Sequence, residues 1–394
     1  MLADDFFTYQ TQTSTHPIGM EISHAKGSYI YDAEGKEHLD FVAGVSACTL
    51  GHCHPEIVKA AQEQAASYMH VMVYGEYIQE PAVSYAKLLA EQLPPSLQTT
   101  YLVNSGTEAM EGALKLARKA TERSEIIAAK NCYHGNTMGS LSLSDYEERR
   151  APFLPLIPDI RHIQFNDTES LSIITERTAA VVLETIQGGA GFILPEHGYL
   201  EAVRRRCTET GTLLILDEIQ PGFGRTGKLF AFEHYNCVPD ILVLGKGMAS
   251  GLPIGGFVAS KDLMAQLASD PELGHITTFG GNAVIAAAAK KTLEVLLRDE
   301  LIDSIPAKEM RFKELLQHEL IDEVRGTGLM LSLLMPDAET ASKLISGCAD
   351  KGLILFGLLF ENKAVRITPP LTISDEEITK GCRIILEILD QIAQ

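Results

Sequence analysis

The sequence predicts an α/β protein, with a large domain built on a mostly parallel sheet and a smaller α+β domain. Residues 213–216 and 241–244 are apolar at every position, which is typical of strands buried on both faces of a parallel sheet. Segments with helical periodicity alternate with such runs through the middle of the chain, and the pattern changes near residues 291–297. The 394 residues, 45% of them hydrophobic, are too many for one small core and suffice for a sizeable one.

The elements of the first part of the chain follow from local patterns. Residues 28–45 alternate around a turn at 32–35 and predict a hairpin. A helix is expected to begin at Pro55, because proline suits the first helical position, and a second amphipathic helix covers 81–93. The strands expected in the large domain are 100–103, 125–129, 179–183, 213–216, 241–244 and 257–260, with helices at about 109–121, 201–210 and 283–297.

The last hundred residues alternate helices and strands in a pattern that predicts an α+β domain. No internal repeat and no low-complexity linker separates them from the rest of the chain. Helices are expected at 305–320, at 338–351 and from Asp375 onward, and strands at 323–326, 329–334, 353–355 and 365–367.

Composition limits the classes of function. The formal net charge of −19 and the pI near 5.1 argue against nucleic acid or an anionic membrane as a partner. Seven cysteines without framework spacing predict reduced thiols, and the acidic N-terminus lacks the basic residues of a signal peptide. No apolar stretch is long enough to cross a bilayer. We therefore expect a cytoplasmic protein with no membrane or nucleic-acid partner.

Two charged residues stand where two buried strands end. Asp217 closes the run 213–216, and Lys246 follows the run 241–244 between Gly245 and Gly247. Ligands of open α/β sheets bind beyond the carboxyl ends of the strands, so the acid and the amine are expected to face one crevice. A desolvated lysine suits Schiff-base chemistry, and a buried carboxylate keeps a pyridine nitrogen protonated. The pair predicts pyridoxal 5′-phosphate (PLP); an ordinary buried ion pair is the alternative.

Two further segments that follow predicted strands also fit PLP as a ligand. Ser105, Gly106 and Thr107 lie between a strand and a helix N-terminus, where backbone N–H groups and the helix dipole bind anions such as phosphate. The alternative is a plain helix cap. Tyr133 follows the strand 125–129 and is placed to stack on a flat ring, although a core tyrosine explains it as well.

Two other motifs suggest different chemistry. Segment 222–228 fits G-x-G-x-x-G and resembles a P-loop, but Leu229 stands where Ser or Thr holds Mg²⁺. A nucleotide-binding protein built on this loop is therefore an alternative. His52, Cys53 and His54 suggest a metal, but no second ligand pair lies at a zinc spacing, so we expect a loop before the helix at Pro55 and no metal site.

Taken together, these motifs resemble the class III aminotransferases, which are PLP enzymes of fold type I. The matching motifs are Asn104 to Ala109, Tyr133-His134-Gly135, Asp217 to Gln220, Gly224 to Gly227 and Gly245-Lys246-Gly247, in the family's order and spacing. The resemblance runs from about Pro17 to the C-terminus. It implies three parts: 1–50 as the N-terminal part of the small domain, 51–294 as the large PLP-binding domain, and 295–394 as the C-terminal part of the small domain.

The resemblance also implies roles for individual residues. Lys246 would form the Schiff base and shuttle a proton, and Asp217 would pair with the pyridine nitrogen. Gln220 would lie near the phenolic oxygen of the ring, and Thr278 would reach the phosphate of the neighbouring subunit's cofactor, which makes a homodimer with shared sites obligatory. The catalytic residues implied are Lys246 and Asp217, and the cofactor-binding residues are Ser105, Gly106, Thr107, Tyr133, His134, Glu184, Asp217, Gln220, Lys246 and Thr278.

Substrate binding is implied for Arg366, Glu184 and Asn136. Arg366 resembles the arginine that binds the carboxylate of glutamate or 2-oxoglutarate, and Glu184 resembles the partner that masks it when an ω-amine enters. The acetylornithine and ornithine members carry an arginine where this chain has Asn136, and the missing charge weakens the case for acetylornithine itself.

The sequence therefore predicts a PLP-dependent transaminase that moves the terminal amine of an ω-amino acid, of the acetylornithine or ornithine type, to 2-oxoglutarate. Its partners would be an amino-acid donor and a 2-oxo acid acceptor. A 4-aminobutyrate or other ω-amine transaminase is the alternative within the fold, followed by an aminomutase. From other classes, the rivals are the nucleotide binder and a cofactor-free binding protein on the same scaffold, which the presence of Lys246 and Asp217 disfavours.

Overall fold

A computed structural model describes residues 2–394, whose strands form three sheets. In chain order the strands of these residues are β1 (Ile22–Lys26), β2 (Tyr29–Asp32), β3 (Glu37–Asp40), β4 (Thr99–Val103), β5 (Glu125–Ala129), β6 (Ile160–Ile163), β7 (Thr178–Glu184), β8 (Leu213–Asp217), β9 (Ile241–Gly245), β10 (Gly255–Ala259), β11 (Glu323–Thr327), β12 (Met330–Leu334), β13 (Leu353–Ile354), β14 (Phe356–Gly357) and β15 (Ala364–Ile367).

Helices connect most of these strands and cover the sheets. In the same order they are α1 (Leu2–Tyr9), α2 (Ala43–Ser46), α3 (Pro55–Ser67), α4 (Glu80–Ala90), α5 (Gly106–Thr121), α6 (Met138–Ser142), α7 (Glu147–Arg150), α8 (Tyr199–Thr210), α9 (Lys261–Ala265), α10 (Ala283–Arg298), α11 (Leu301–Leu315), α12 (Ala338–Asp350) and α13 (Asp375–Ile392). The helix expected at 305–320 begins earlier, at Leu301, and ends at Leu315.

The central sheet has seven strands in the order β4-β10-β9-β8-β7-β5-β6. Neighbouring strands are parallel except that β10 runs antiparallel to both β4 and β9. Strands β5, β7, β9 and β10 are buried at every position, which explains their continuous apolar sequences. Helices on both faces exclude water from this sheet.

The register of the parallel strands brings three charged residues to one edge. Glu184 at the end of β7 pairs in register with Asp217 at the end of β8, and Asp217 pairs with Val243 of β9. Lys246 follows β9 directly. The carboxyl ends of β7, β8 and β9 therefore meet where an α/β sheet binds its ligand.

The two smaller sheets join distant parts of the chain. The hairpin β2–β3 is extended by β1 on one side and by β13, from the last fifty residues, on the other. The third sheet has the order β11-β12-β15-β14 and carries Arg366 on β15, opposite Ser332 and Phe356. The strand that carries Arg366 is thus paired with a neighbour on each side.

The sequence patterns missed some short strands. β1 is largely exposed, β6 has only one fully buried residue, and β14 is two residues long. None of these has the apolar run or the clean alternation that identifies a strand locally. No helix of residues 2–394 is long and apolar enough to span a membrane.

Candidate active site

A cavity of about 540 Å³ lies at the carboxyl edge of the central sheet, against β14 and β15 of the third sheet. Ten of its lining residues are ones that the sequence predicted for the site. The lining residues are Val45, Gly106, Thr107, Tyr133, His134, Gly135, Asn136, Glu184, Gly189, Asp217, Ile219, Gln220, Pro221, Lys246, Phe356, Leu359 and Arg366. Ser105 and Thr278 do not line it.

Asp217 is buried and held from two sides. Its Oδ2 lies 2.7 Å from Nδ1 of His134, and its Oδ1 accepts the backbone N–H of Ile219 at 2.9 Å. Burial works against a charge on His134, but the neighbouring Cys132 and the hydrogen bond with Asp217 raise the pKa of this imidazole well above 6.5. The raised pKa of His134 places an imidazolium against the Asp217 carboxylate.

Lys246 occupies a constrained position at the start of a short 3-10 turn. Its φ of +41° lies in the left-handed region, which is unusual for a lysine. Among residues 2–394 its amine has no hydrogen-bond or ion-pair partner. Burial lowers the pKa of Lys246, the charge of Asp217 opposes this, and Arg366 adds to it. A neutral amine suits both nucleophilic attack and proton transfer.

The predicted anion site lies at the N-terminus of α5. Gly106 and Thr107 line the cavity, whereas the Ser105 hydroxyl accepts the N–H of Glu108 at 3.3 Å as a helix cap. A Cβ at Gly106 would lie 2.6 Å from Cδ1 of Ile219, so only glycine fits beside this side chain. The free N–H groups of the first turn face the cavity from a sixteen-residue helix.

Hydroxyl groups that the sequence did not single out support Thr107. Its Oγ1 lies 2.8 Å from Oγ1 of Thr137 and 2.7 Å from Oγ of Ser140. Glu111 accepts hydrogen bonds from the Thr137 hydroxyl and from the N–H groups of Gly139 and Ser140. These contacts join α5 to α6 across about thirty positions of sequence, so local patterns gave no signal for them.

Tyr133 and Asn136 form another part of the cavity wall. The N–H of Tyr133 donates to Oε1 of Glu184 at 3.0 Å, and Asn136 Nδ2 donates to the Tyr133 hydroxyl at 3.3 Å. Burial raises the pKa of Tyr133, while the charge of Arg149 opposes the shift. The phenol is therefore neutral at physiological pH and its ring borders the cavity.

Glu184 and Arg366 line the same cavity without contacting each other. Glu184 Oε2 accepts the N–H of Gly188 at 2.8 Å, and no N–O pair joining Glu184 to Arg366 lies within 4.0 Å. Burial raises the pKa of Glu184 to about 7, against the hydrogen bonds from Gly188 and Tyr133. Burial lowers the pKa of Arg366 to about 10, and its Nε and Nη1 are buried without a hydrogen-bond partner.

Several buried polar atoms around the cavity are available for hydrogen bonds with a ligand. Besides the two nitrogens of Arg366, Nε2 of Gln220 and Nε2 of His134 lack a partner in the described residues. Such atoms cost free energy unless something satisfies them. With an anion site, an acid–histidine pair and the Lys246 amine in one cavity, the lining fits a flat, phosphorylated heteroaromatic aldehyde.

A turn that the sequence did not identify closes one side of the cavity. The φ angles of Ala43, Gly44, Val45 and Ser46 are all positive, between 50° and 67°. Val45 lines the cavity, and a β-branched residue at positive φ is an outlier that costs free energy. Asp40 Oδ1 accepts the N–H groups of Val42 and Ala43 and holds the turn in place.

The loop 222–228 is packed into the protein. It leads to the short 3-10 turn Ala231–His234, so its glycines do not open a helix, as a dinucleotide site requires. Arg225 is buried and donates to the carbonyls of Leu329 and Pro369. Glu218, fully buried, accepts from Thr185 and from the N–H groups that start the turn. The loop is a structural link to the C-terminal sheet.

The His52-Cys53-His54 segment has another explanation. His52 Nε2 lies 2.8 Å from Oδ2 of Asp40, and α3 begins at Pro55, as expected. No group of three or more His, Cys, Asp or Glu side chains within residues 2–394 is arranged to hold a metal ion.

Comparison with known families agrees with this geometry. The model of the family described as "Aminotransferase class-III" matches residues 9–389, nearly the whole chain. The chain belongs to the class III aminotransferase family. This aminotransferase is 37% identical over 379 residues to an acetylornithine aminotransferase of Caldanaerobacter subterraneus subsp. tengcongensis, covering 93% of this chain and 94% of the relative. It is 38% identical over 359 residues to an acetylornithine aminotransferase of Methanopyrus kandleri, covering 90% of each.

A solved structure extends the comparison to the fold and the cofactor. An ornithine aminotransferase from Toxoplasma gondii superposes with a TM-score of 0.91 at 30% sequence identity, covering 99% of this chain and 95% of the other, and its active site holds PLP at partial occupancy. The predicted α/β fold, the family and the transaminase class are confirmed. Class III aminotransferases use PLP, and their reaction requires an amino donor and an oxo-acid acceptor.

Proposed function

We propose that this aminotransferase moves the terminal amine of an ω-amino acid, of the acetylornithine or ornithine type, to 2-oxoglutarate. The observation that carries the proposal is a single unsatisfied guanidinium, Arg366, in the cavity that also contains Lys246 and Asp217. A planar guanidinium binds a carboxylate by two parallel hydrogen bonds. The relatives named acetylornithine aminotransferase support this class of donor.

We assign cofactor binding to the residues around the cavity. Gly106 and Thr107 would hold the phosphate, with Ser105 as the cap that fixes the helix start, and Tyr133 would stack on the ring. Asp217, oriented by His134, would accept a hydrogen bond from the pyridine nitrogen. PLP, when bound, supplies an electron sink for the carbon that bears the transferred amine.

Two more residues complete this assignment. Gln220 would donate its unpartnered Nε2 to the phenolic oxygen of the ring. Lys246 would bind the cofactor covalently and then, as a free amine, carry a proton on Nζ from that carbon of the substrate to the C4′ position of the cofactor. Its lowered pKa favours the neutral amine that each of these tasks needs.

Glu184 and Arg366 would select between the two substrates. Arg366 would bind the carboxylate of glutamate or 2-oxoglutarate, and Glu184 would turn toward Arg366 when an ω-amine without a carboxylate at that position enters. Glu184 is held by two backbone N–H groups and no salt bridge, so a rotation of its side chain exchanges neutral hydrogen bonds for a buried ion pair.

A homodimer with shared sites is part of the proposal. Thr278 is exposed and lies outside the cavity of its own chain, next to Ile276 and Phe279, whose exposed fractions are 45% and 56%. Met69, whose carbonyl accepts a hydrogen bond from Asn282 shortly after this segment, is 69% exposed. Large exposed apolar side chains in one region favour a protein interface. We also propose a cytoplasmic location and the domain division 1–50, 51–294 and 295–394.

One observation favours a second donor class. Asn136 is neutral, and Arg366 is the one arginine among the lining residues of the described chain. A donor without a distal carboxylate, such as a simple amine, or one with a weakly held carboxylate, such as 4-aminobutyrate, fits this wall as well.

A panel of donors tests the proposed function. The purified protein loaded with PLP is expected to be yellow, and its visible band should shift when N-acetylornithine, ornithine, 4-aminobutyrate or a simple amine is added alone. Glutamate formation from 2-oxoglutarate then ranks the donors. A band that shifts with α-amino acids and with none of the ω-amino donors would contradict the proposal.

A further inference from the structure

Most arginines of residues 2–394 are paired with a carboxylate or donate to backbone carbonyls. The exceptions are Arg149, Arg150, Arg205 and Arg366, whose guanidinium groups have neither partner. Arg366 lies inside the cavity and Arg205 on the exposed face of α8. Arg150 has a buried Nε. Arg149, on α7, is exposed in a protein with 52 acidic and 33 basic residues, so its lack of a carboxylate partner needs an explanation.

An aromatic stack fixes the position of Arg149. Its Cζ lies 5.5 Å from the ring centroid of Phe360, and Tyr146 stacks on the same ring at 4.4 Å with an interplanar angle of 21°. Stacking restricts a guanidinium and leaves its N–H donors free in the plane. Arg149 is therefore a preorganised cation without a protein acceptor.

The stack adjoins the cavity lining through Phe360. The N–H of Phe360 donates to the carbonyl of Gly189 at 2.9 Å, and a Cβ at Gly189 would lie 2.9 Å from the Phe360 ring. Gly189 and Leu359, the neighbour of Phe360, both line the cavity. The charge of Arg149 also acts on the phenol of Tyr133, which lines the cavity.

We propose that Arg149 binds the distal carboxylate of the substrate, the one farther from Lys246, in place of the charge that Asn136 does not supply. The proposal rests on the proposed function, in which Arg366 binds one carboxylate. A dicarboxylic acceptor has a second carboxylate far from Lys246, and an ω-amino acid whose terminal amine reaches Lys246 has its single carboxylate at that far end. Both substrates therefore present a carboxylate to Arg149. An exposed arginine that is already held in position binds such a carboxylate better than a mobile arginine does.

The test compares ligands that differ by this one carboxylate. We expect Arg149→Gln to raise the KM ratio of 2-oxoglutarate to pyruvate about tenfold, which is the typical effect of losing a charge-assisted hydrogen-bonded pair. Arg149→Lys should retain part of the preference. The matched control is Arg205→Gln, which removes the same charge from α8 and should leave the ratio unchanged. Asn136→Arg in the Arg149→Gln background should restore the preference, because it returns a cation to the cavity.

A second comparison separates the two sources of the carboxylate. Donor KM values for 5-aminopentanoate and pentylamine show whether Arg149 also holds the donor. A change in the KM ratio of the two acceptors, of the two donors or of both in Arg149→Gln supports the proposal and identifies which substrate supplies the carboxylate. Equal KM changes for ligands with and without the carboxylate, or no change at all, overturn it.

Ligand binding keeps this result independent of turnover. The Kd of glutarate for the PLP-loaded protein, measured by calorimetry, should rise about tenfold in Arg149→Gln relative to that of propionate. An unchanged ratio of these Kd values would overturn the role of Arg149 even if amine transfer is confirmed. A changed ratio would support it even if the donor proves to be of another class.

Discussion

His134 Nδ1 lies 2.7 Å from Asp217 Oδ2, and both side chains are buried at the carboxyl edge of the central sheet. Because Ile219 donates to the other oxygen of Asp217, the carboxylate has one fixed orientation. A carboxylate fixed in this way is oriented to accept a hydrogen bond from a protonated pyridine nitrogen.

Replacing His134 should therefore weaken catalysis and PLP binding more than it lowers the stability of the fold. His134→Ala is expected to lower kcat about 100-fold, as misorientation of a group near the chemistry does, and to weaken PLP binding. The control is His38→Ala, which breaks a similar buried contact, 2.9 Å from Asp32, away from the cavity. If fluorescence titration gives both variants the same PLP affinity as the wild type, the role assigned to His134 is wrong.

The pKa of Glu184 predicts a pH-dependent choice of substrate. Burial raises this pKa to about 7, so the side chain is mostly protonated at pH 6 and ionised at pH 8, where it can pair with Arg366. The ratio of kcat/KM for glutamate to that for a carboxylate-free amine should therefore fall severalfold from pH 6 to 8. Glu184→Gln should flatten that dependence, and a ratio that still falls equally in this variant would exclude Glu184 as its source.

The same shift has a consequence for stability. Because the folded-state pKa lies above the unfolded value of 4.5, ionised Glu184 destabilises the fold. The stability gained from protonated Glu184 is fully present below pH 4.5 and is lost as the pH rises through about 7.

Arg366 should matter only for substrates with a carboxylate. Arg366→Ala is expected to reduce kcat/KM for glutamate about 100-fold, since a hydrogen-bonded ion pair in a dry site is lost, and to change that for a simple amine much less. Arg366→Lys should recover little, because an ammonium cannot form the paired hydrogen bonds. Steady-state kinetics on both substrates gives the comparison, and equal losses on both would count against substrate switching.

Shared active sites predict complementation between two inactive variants. Lys246→Ala removes the reactive amine, and Thr278→Arg is expected to block the phosphate site of the neighbouring subunit. In a mixed dimer, the subunit that keeps Lys246 faces the intact Thr278 of the other chain, so co-expressed variants should regain activity at one site per heterodimer. If Thr278 served its own chain, each site of that heterodimer would carry a defect and no activity would return.

The structure brings to one cavity the two residues that the sequence singled out at the ends of buried strands. Asp217 and Lys246 interrupt apolar runs, and burial of a charge is costly enough to indicate a function by itself. The sequence did not predict the left-handed turn at Val45, because contacts with Asp40, rather than local propensity, impose its φ of 61°. It also gave no sign of Thr137 and Ser140, which meet Thr107 only through the packing of α5 against α6.

The resemblance to the class III aminotransferases indicated which residues to expect in the site, but not how their side chains are oriented. Glu184 and Arg366 were expected as a pair, yet Glu184 is bonded to the backbone of Tyr133 and Gly188. That geometry depends on side-chain torsions that no sequence pattern specifies.

The most direct test of the central claim is chemical labelling of Lys246. Borohydride reduction of the yellow, PLP-loaded protein should fix the cofactor to its lysine, and peptide mass mapping should find the phosphopyridoxyl group on the peptide that contains Lys246. The account predicts stoichiometric label at this residue and none in Lys246→Ala. Label on a different lysine, or an unlabelled Lys246 in active protein, would contradict it.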